Sequence, residues 1–232
     1  TTNKSYNKTL IIASLCSGFF LFIASAMQQI GIKESNASKA GFITALYVIF
    51  VPIISIIFFK MKEGIRLWIS VVLSVAGLFL LCIHDGFNLE YGDAILLFCA
   101  FLFALQIITV ANFVKKVDVL DLSIFQFLVV AIFSSIVMIA VEKPSADMII
   151  KAMPALLFVG IFSGACGYTL QNVGQQYVRP SIASLLMSLE SVFSAIFAWI
   201  ILGEMLGSRE MLGAILMFSA IILAQLPIKG RE

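Results

Sequence analysis

A carboxylate stands near the middle of an otherwise apolar stretch, "SLLMSLESVFSAIFAWIILGE", where Glu190 is flanked by enough hydrophobic residues to cross a bilayer. An ionisable group at that depth is costly unless it meets a cavity or a partner, so it marks a functional site by default. Two readings fit it. In one, Glu190 binds a substrate ammonium group or carries a proton; in the other, it is a hydrogen-bonded carboxyl that holds two helices together. On a helical wheel Ser181, Ser184, Ser188, Ser191, Ala195 and Ala198 share one sector, a small-residue stripe that lets another helix approach closely. Glu190 projects from a different face, with Ala183, Met187, Ser194 and Phe197.

A second polar face lies on the preceding helix. Gly160, Gly164, Gly167, Tyr168, Gln171 and Gln175 fall on one side of an ideal α-helix, with Asn172 beside them. The glycines admit a close neighbour, and the amides supply donors and acceptors for a ligand or, in the plainer reading, for another helix. Gln106, Thr109, Asn112 and Gln126 are further intramembrane polar groups of the same two-sided kind. Metal and nucleotide chemistry find no support. There is one histidine, His84, beside Asp85 in a loop, and no HExxH or GxxxxGK[ST] pattern. Cys16, Cys82, Cys99 and Cys166 stand apart in apolar runs and read as small packing residues. No cofactor is expected, and no catalytic residue is assigned.

The elements that hold these residues follow from composition. With 232 residues, 61% hydrophobic and 12% charged, the chain lies far from soluble domains, which are about half apolar and a quarter charged. A net charge of +2 spread over short loops points to no nucleic-acid partner. Eight apolar runs, roughly 9–32, 36–59, 65–83, 93–114, 121–141, 153–177, 180–202 and 208–226, are each long enough to span about 30 Å as a helix. Short alternating strands are absent, which excludes a barrel. Placing the N-terminus in the cytoplasm puts Lys4, Lys8, Lys60, Lys62, Arg66, Lys115, Lys116, Arg179, Lys229 and Arg231 inside. That leaves Lys33, Lys39, Lys143, Lys151 and Arg209 outside, and the bias favours both termini in the cytoplasm.

The chain also resembles itself. Shifted by 143 positions, Gln28 to Phe59 falls on Gln171 to Leu202 without a gap, so that Gln28 meets Gln171, Tyr47 meets Glu190 and Phe50 meets Phe193. Arg66 then falls on Arg209. Because the matched helices run in opposite senses across the membrane, the repeat is inverted, an architecture of secondary transporters whose substrate site lies near the midplane. The offset places the start of a complete first copy about fifty residues ahead of Thr1. The expectation is a five-plus-five bundle of ten helices, with the first two outside this chain. Residues 1–86 would hold the last three helices of the first copy, and 87–232 a complete second copy.

"AGFITALYVIFVPIISIIFF" and "QNVGQQYVRPSIASLLMSLESVFSAIFAWIILGE" resemble the fourth and the eighth-to-ninth helices of EamA-type proteins of the drug/metabolite transporter superfamily. The Gln171 and Gln175 spacing, the "SLES" around Glu190, the "LGE" ending at Glu204 and Gly213 in the last helix carry the likeness. The resemblance implies an all-α polytopic helix bundle in a bacterial cytoplasmic membrane, a secondary transporter and often an exporter of amino acids or other small metabolites. On this reading Gln28, Tyr47, Gln106, Tyr168, Gln171, Asn172 and Glu190 contact a small-molecule substrate, membrane lipid surrounds the bundle, and a homodimer is compatible. An intramembrane enzyme or a non-transporting scaffold or sensor is the alternative. Neither explains an inverted repeat with polar faces.

Overall fold

Hydrocarbon contains no partner for a free peptide group, so a chain this apolar must close its backbone hydrogen bonds within helices. The computed structural model describes residues 8–35, 37–83, 90–202 and 207–226, and among these the backbone is helix and connecting loop. The α-helices are α1 (Lys8–Lys33), α2 (Ala37–Ala45), α3 (Tyr47–Phe59), α4 (Ile65–Cys82), α5 (Tyr91–Phe113) and α6 (Val119–Val137). They continue with α7 (Ala146–Phe158), α8 (Thr169–Gly174), α9 (Pro180–Met187), α10 (Glu190–Phe197) and α11 (Ser208–Gln225). π-Helical stretches at Met138–Glu142, Val159–Tyr168 and Ala198–Leu202 prolong α6, join α7 to α8 and prolong α10. Joined end to end, these segments give eight spans long and apolar enough to cross a membrane, the number the apolar runs predict. His84, Asp85 and Glu204 lie outside the described residues.

Caps move two helix starts away from the sequence expectation. The Asp118 carboxylate accepts from the backbone N–H of Leu120 at 2.9 Å and of Asp121 at 3.1 Å, so α6 begins at Val119 rather than 121. Ser145 accepts from the Met148 N–H at 3.3 Å and starts α7 at Ala146, well ahead of the 153 read from hydropathy. That early turn carries Asp147 and Lys151, paired at 2.8 Å one turn apart, and such charges hide a helix from an apolar-run criterion.

The chain divides into two compact units, Thr1–Ile23 with Leu105–Val178, and Ala24–Ala104 with Arg179–Glu232. In the first, Leu10 and Ala13 of α1 pack with Val110, Val114 and Leu122. The α1 backbone comes so near α6 that a Cβ on Gly18 would lie 2.7 Å from the Gln126 carbonyl oxygen. Phe133 stacks on Phe22 with ring centroids 5.5 Å apart. Outward residues such as Ile132, Phe158 and Phe162 are exposed, as a lipid-facing surface requires.

In the second unit α4 and α11 are the tightest pair. A Cβ on Gly77 would sit 2.6 Å from the Gly213 carbonyl oxygen, and one on Gly213 would sit 2.6 Å from the Gly77 oxygen. Small residues let helix backbones meet this closely, which replaces the hydrophobic drive that lipid does not provide. Phe42, Ile43, Leu78, Leu81, Leu96, Val192 and Met217 form an apolar core within this unit.

Candidate functional site

Two spans that hydropathy presents as continuous each tighten for one turn in the middle, with the backbone still right-handed, both in the second unit. The span from Ser38 to Phe59 is interrupted at Leu46, and the span from Pro180 at Ser188 and Leu189. At both places the backbone tightens in the same way. Leu46 N–H bonds back to the Ile43 carbonyl at 3.1 Å, and Leu189 N–H to the Leu186 carbonyl at 3.2 Å. Phe50 N–H reaches the Leu46 carbonyl at 3.4 Å, as Phe193 N–H reaches that of Leu189 at 2.9 Å. Each of these residues is 143 positions from its counterpart, the offset found in the sequence. The first residue of the second half-helix is Tyr47 in one copy and Glu190 in the other.

Glu190 thus opens α10, and its carboxylate lies in a first helical turn, where the helix dipole favours negative charge. It is exposed, while Ser181, Ser184 and Ser188 of the small stripe are buried, as the helical wheel separates them. The stripe also accounts for the break. Ser184 donates to the Ser181 carbonyl at 2.9 Å and Ser188 to that of Leu185 at 2.7 Å, and serine hydroxyls bonded back to the preceding turn bend helices. Ser188 is braced from α4 by the Ser74 hydroxyl at 3.2 Å. Tyr47 is buried at the head of α3, and Gln28 is half-buried on α1.

The other four predicted site residues lie in the first unit, so the seven divide three and four. Gln171 on α8 donates its Nε2 to Gln106 Oε1 on α5 at 3.4 Å. Its neighbour Asn172, fully buried, donates Nδ2 to Ser123 Oγ at 2.9 Å and at 3.5 Å to Gln126 Oε1, both on α6. Among the described residues, Gln106 Nε2, Gln126 Nε2 and Asn172 Oδ1 are buried with no hydrogen-bond partner. Three helices therefore meet through a neutral amide seam that keeps unmatched donors and an unmatched acceptor. Tyr168 packs its ring edge-on against Phe127, with centroids 5.8 Å apart.

The glycine face expected beside Tyr168 is kept in part: Gly160, Gly164 and Gly167 lie in the π-helical stretch, whose wider turn changes the 100° step, yet Gly164, whose Cβ would lie 3.8 Å from the Phe127 ring, shares that neighbour with Tyr168. A Cβ on Gly160 would find no atom within 4 Å, so no helix seats there within the described residues.

Two polar pairs escaped the sequence reading. Lys39, counted there among the outside charges, and Asp93 lie on α2 and α5 and are buried together, with Lys39 Nζ 2.7 Å from Asp93 Oδ2. Asp93 also accepts from Ser35 Oγ at 3.3 Å, in the connection between α1 and α2, and from the Glu90 N–H at 2.8 Å, just ahead of α5. The signal was available, since both positions fall at or inside the apolar runs. In the second pair Ser181 Oγ donates to Glu63 Oε1 at 2.6 Å. No sequence pattern links those two, which are 118 positions apart.

Known proteins are similar to this chain in sequence and in fold. The model of the EamA-like transporter family matches residues 1–83 and 90–226. An uncharacterized transporter of Archaeoglobus fulgidus is 29% identical over 211 residues, which cover 91% of this chain and 68% of that protein. One from Methanothermobacter thermautotrophicus is 22% identical over 207 residues, 87% of this chain and 60% of its own length. The chain thus spans only part of either relative. A solved crystal structure superposes with a TM-score of 0.77 over 94% of this chain and 86% of its own, at 14% identity, a likeness of fold.

Proposed function

The chain belongs to the EamA-like transporter family, and from that premise we propose that it is a secondary transporter that exports amino acids or other small metabolites by alternating access. The family and the eight spans make it an integral membrane transporter. The observation that carries the finer reading is the matched pair of helix breaks ahead of Tyr47 and Glu190. Irregular backbone at membrane depth is tolerated where protein buries it or where it lines a water-filled cavity. Broken helices in repeat-related positions frame the substrate sites of several transporter folds.

In this reading residues 1–86 and 87–232 belong to two inverted repeats that rock against each other. Glu190 meets a substrate ammonium group or carries the coupling proton. Tyr47, a neutral hydroxyl at the related position, suits the other end of an asymmetric ligand. Gln28, Gln106, Tyr168, Gln171 and Asn172 supply neutral hydrogen bonds. The unmatched amide atoms support that role, because a buried donor or acceptor without a partner costs about 1–3 kcal/mol until water or a ligand meets it. The protein sits in a bacterial cytoplasmic membrane with both termini in the cytoplasm, as a monomer or homodimer. Flux through vesicles holding full-length Glu190→Gln tests the assignment: unchanged pH dependence and unchanged substrate affinity remove Glu190 from the mechanism.

A further inference from the structure

We infer that Glu63 and Ser181 form a latch that holds one end of the transport path shut. The two breaks leave four half-helices, and the 143-residue offset pairs α2 with α9 and α3 with α10. Near the end at which α3 finishes and α9 begins, α3 packs along α9, so among the described residues this end is closed. In an inverted repeat, exchanging the conformations of the two copies generates the opposite state, with α2 packed along α10 and the α3–α9 seam parted. The inference rests on the alternating-access reading and names the contact that biases it.

The seam is polar at one point. Glu63 lies in the connection between α3 and α4, just after Lys60, whose left-handed backbone (φ 50°) caps α3 and turns the chain. Its Oε1 accepts from Ser181, in the first turn of α9, at 2.6 Å, within the short range of a hydroxyl bonded to a carboxylate. Ser181 is 1% exposed, so parting the seam must break this bond or wet it. The repeat preserves only half of the pair. Ser38 stands where Ser181 does, whereas the offset from Glu63 falls on Leu206, so the repeat does not carry the carboxylate over at the matched position. A latch present at one end biases the equilibrium toward closure there, and removing it moves the population the other way.

The test uses full-length protein with its native cysteines replaced and Ser184→Cys introduced. Ser184 is a fully buried position on α9 within a turn of Ser181. A membrane-impermeant maleimide is added from the side that bears Lys60 and Lys62. Glu63→Ala and Ser181→Ala are each expected to raise the labelling rate about tenfold, the effect of about 1.4 kcal/mol on a two-state equilibrium. A second arm pairs Glu63→Cys with Ser181→Cys, and a bifunctional methanethiosulfonate crosslinker that spans the glutamate's reach should join them and stop flux until it is reduced. Labelling that Glu63→Ala leaves unchanged overturns the latch, as does flux that continues through the crosslinked protein. Failure of the transporter reading looks different, because the labelling changes would persist while the parent protein moves no solute.

Discussion

Adding one methyl group at Gly77 tests how the second unit is held together. The new Cβ would lie 2.6 Å from the Gly213 carbonyl oxygen, 2.7 Å from Met217 Cγ and 3.1 Å from the Met217 backbone nitrogen. Non-bonded atoms settle at about 3.5–4.0 Å, so α4 and α11 must separate by about 1 Å. Two of the three obstructing atoms are backbone, and no rotamer change can relieve them. Overpacking of this kind costs about 1–3 kcal/mol, and each kcal/mol lowers the melting temperature of a chain this size by about 2–4 °C. Gly77→Ala in full-length protein should therefore melt about 2–12 °C below the parent in detergent, followed by intrinsic fluorescence. Gly213→Ala should do the same, because its Cβ would lie 2.6 Å from the Gly77 oxygen. The double variant should cost less than the sum, since one separation accommodates both methyls. Gly41→Ala is the control: nothing lies within 4 Å of its Cβ, and alanine suits a helix better than glycine. Equal melting of Gly77→Ala and Gly41→Ala would refute close packing at this seam.

Other perturbations separate the polar contacts. Lys39→Met leaves the buried Asp93 carboxylate without its cation and should destabilise the protein, whereas Lys39→Met with Asp93→Leu should recover most of the loss. A double variant no better than the single one would show that the pair does not act as a clasp. Gln175 is 2% exposed, and both its amide atoms lack partners among the described residues, so Gln175→Met should raise the melting temperature by a few degrees. A lower melting temperature would mean that the amide is engaged. Ser188→Ala removes the hydroxyl that bonds Leu185 and Ser74, and it should straighten the break before Glu190. Amide hydrogen exchange at Leu189 and Ser191 should slow in that variant, and unchanged exchange would assign the break to another cause.

Eight spans were legible because a run of about twenty apolar residues has few other ways to fold in a membrane protein. The 143-residue spacing that Gln28 and Gln171, Phe50 and Phe193, and Arg66 and Arg209 hold also relates the tightened turns at Leu46 and Leu189. The breaks themselves were not legible. Leu46 and Leu189 are good helix formers, and Pro52, the one conspicuous breaker in α3, falls on Ala195 in the other copy. What interrupts the second span is serine hydroxyls bonding back to carbonyls, a choice of partner that hydropathy does not record. The glycine face was legible only in part for a related reason, since a π-helical stretch changes the angular step on which a helical wheel depends. Glu190, Gln106 and Gln171 were singled out from the cost of polar groups in hydrocarbon, but only the fold brings the two glutamines within 3.4 Å. Ser123 entered through Asn172, which only the fold brings within 2.9 Å. Glu63 and Ser181 required tertiary structure altogether.

The central claim is that this protein moves a small solute across a membrane and that Glu190 takes part. A melting screen of full-length protein against amino acids, nucleosides and cationic drugs selects a compound, which is then followed into sealed proteoliposomes. The account predicts saturable flux that depends on the protein and falls at least tenfold in Glu190→Gln, with no chemical change in the compound. Uptake equal to that of protein-free vesicles, or conversion of the compound to a new product by protein in detergent, would contradict it.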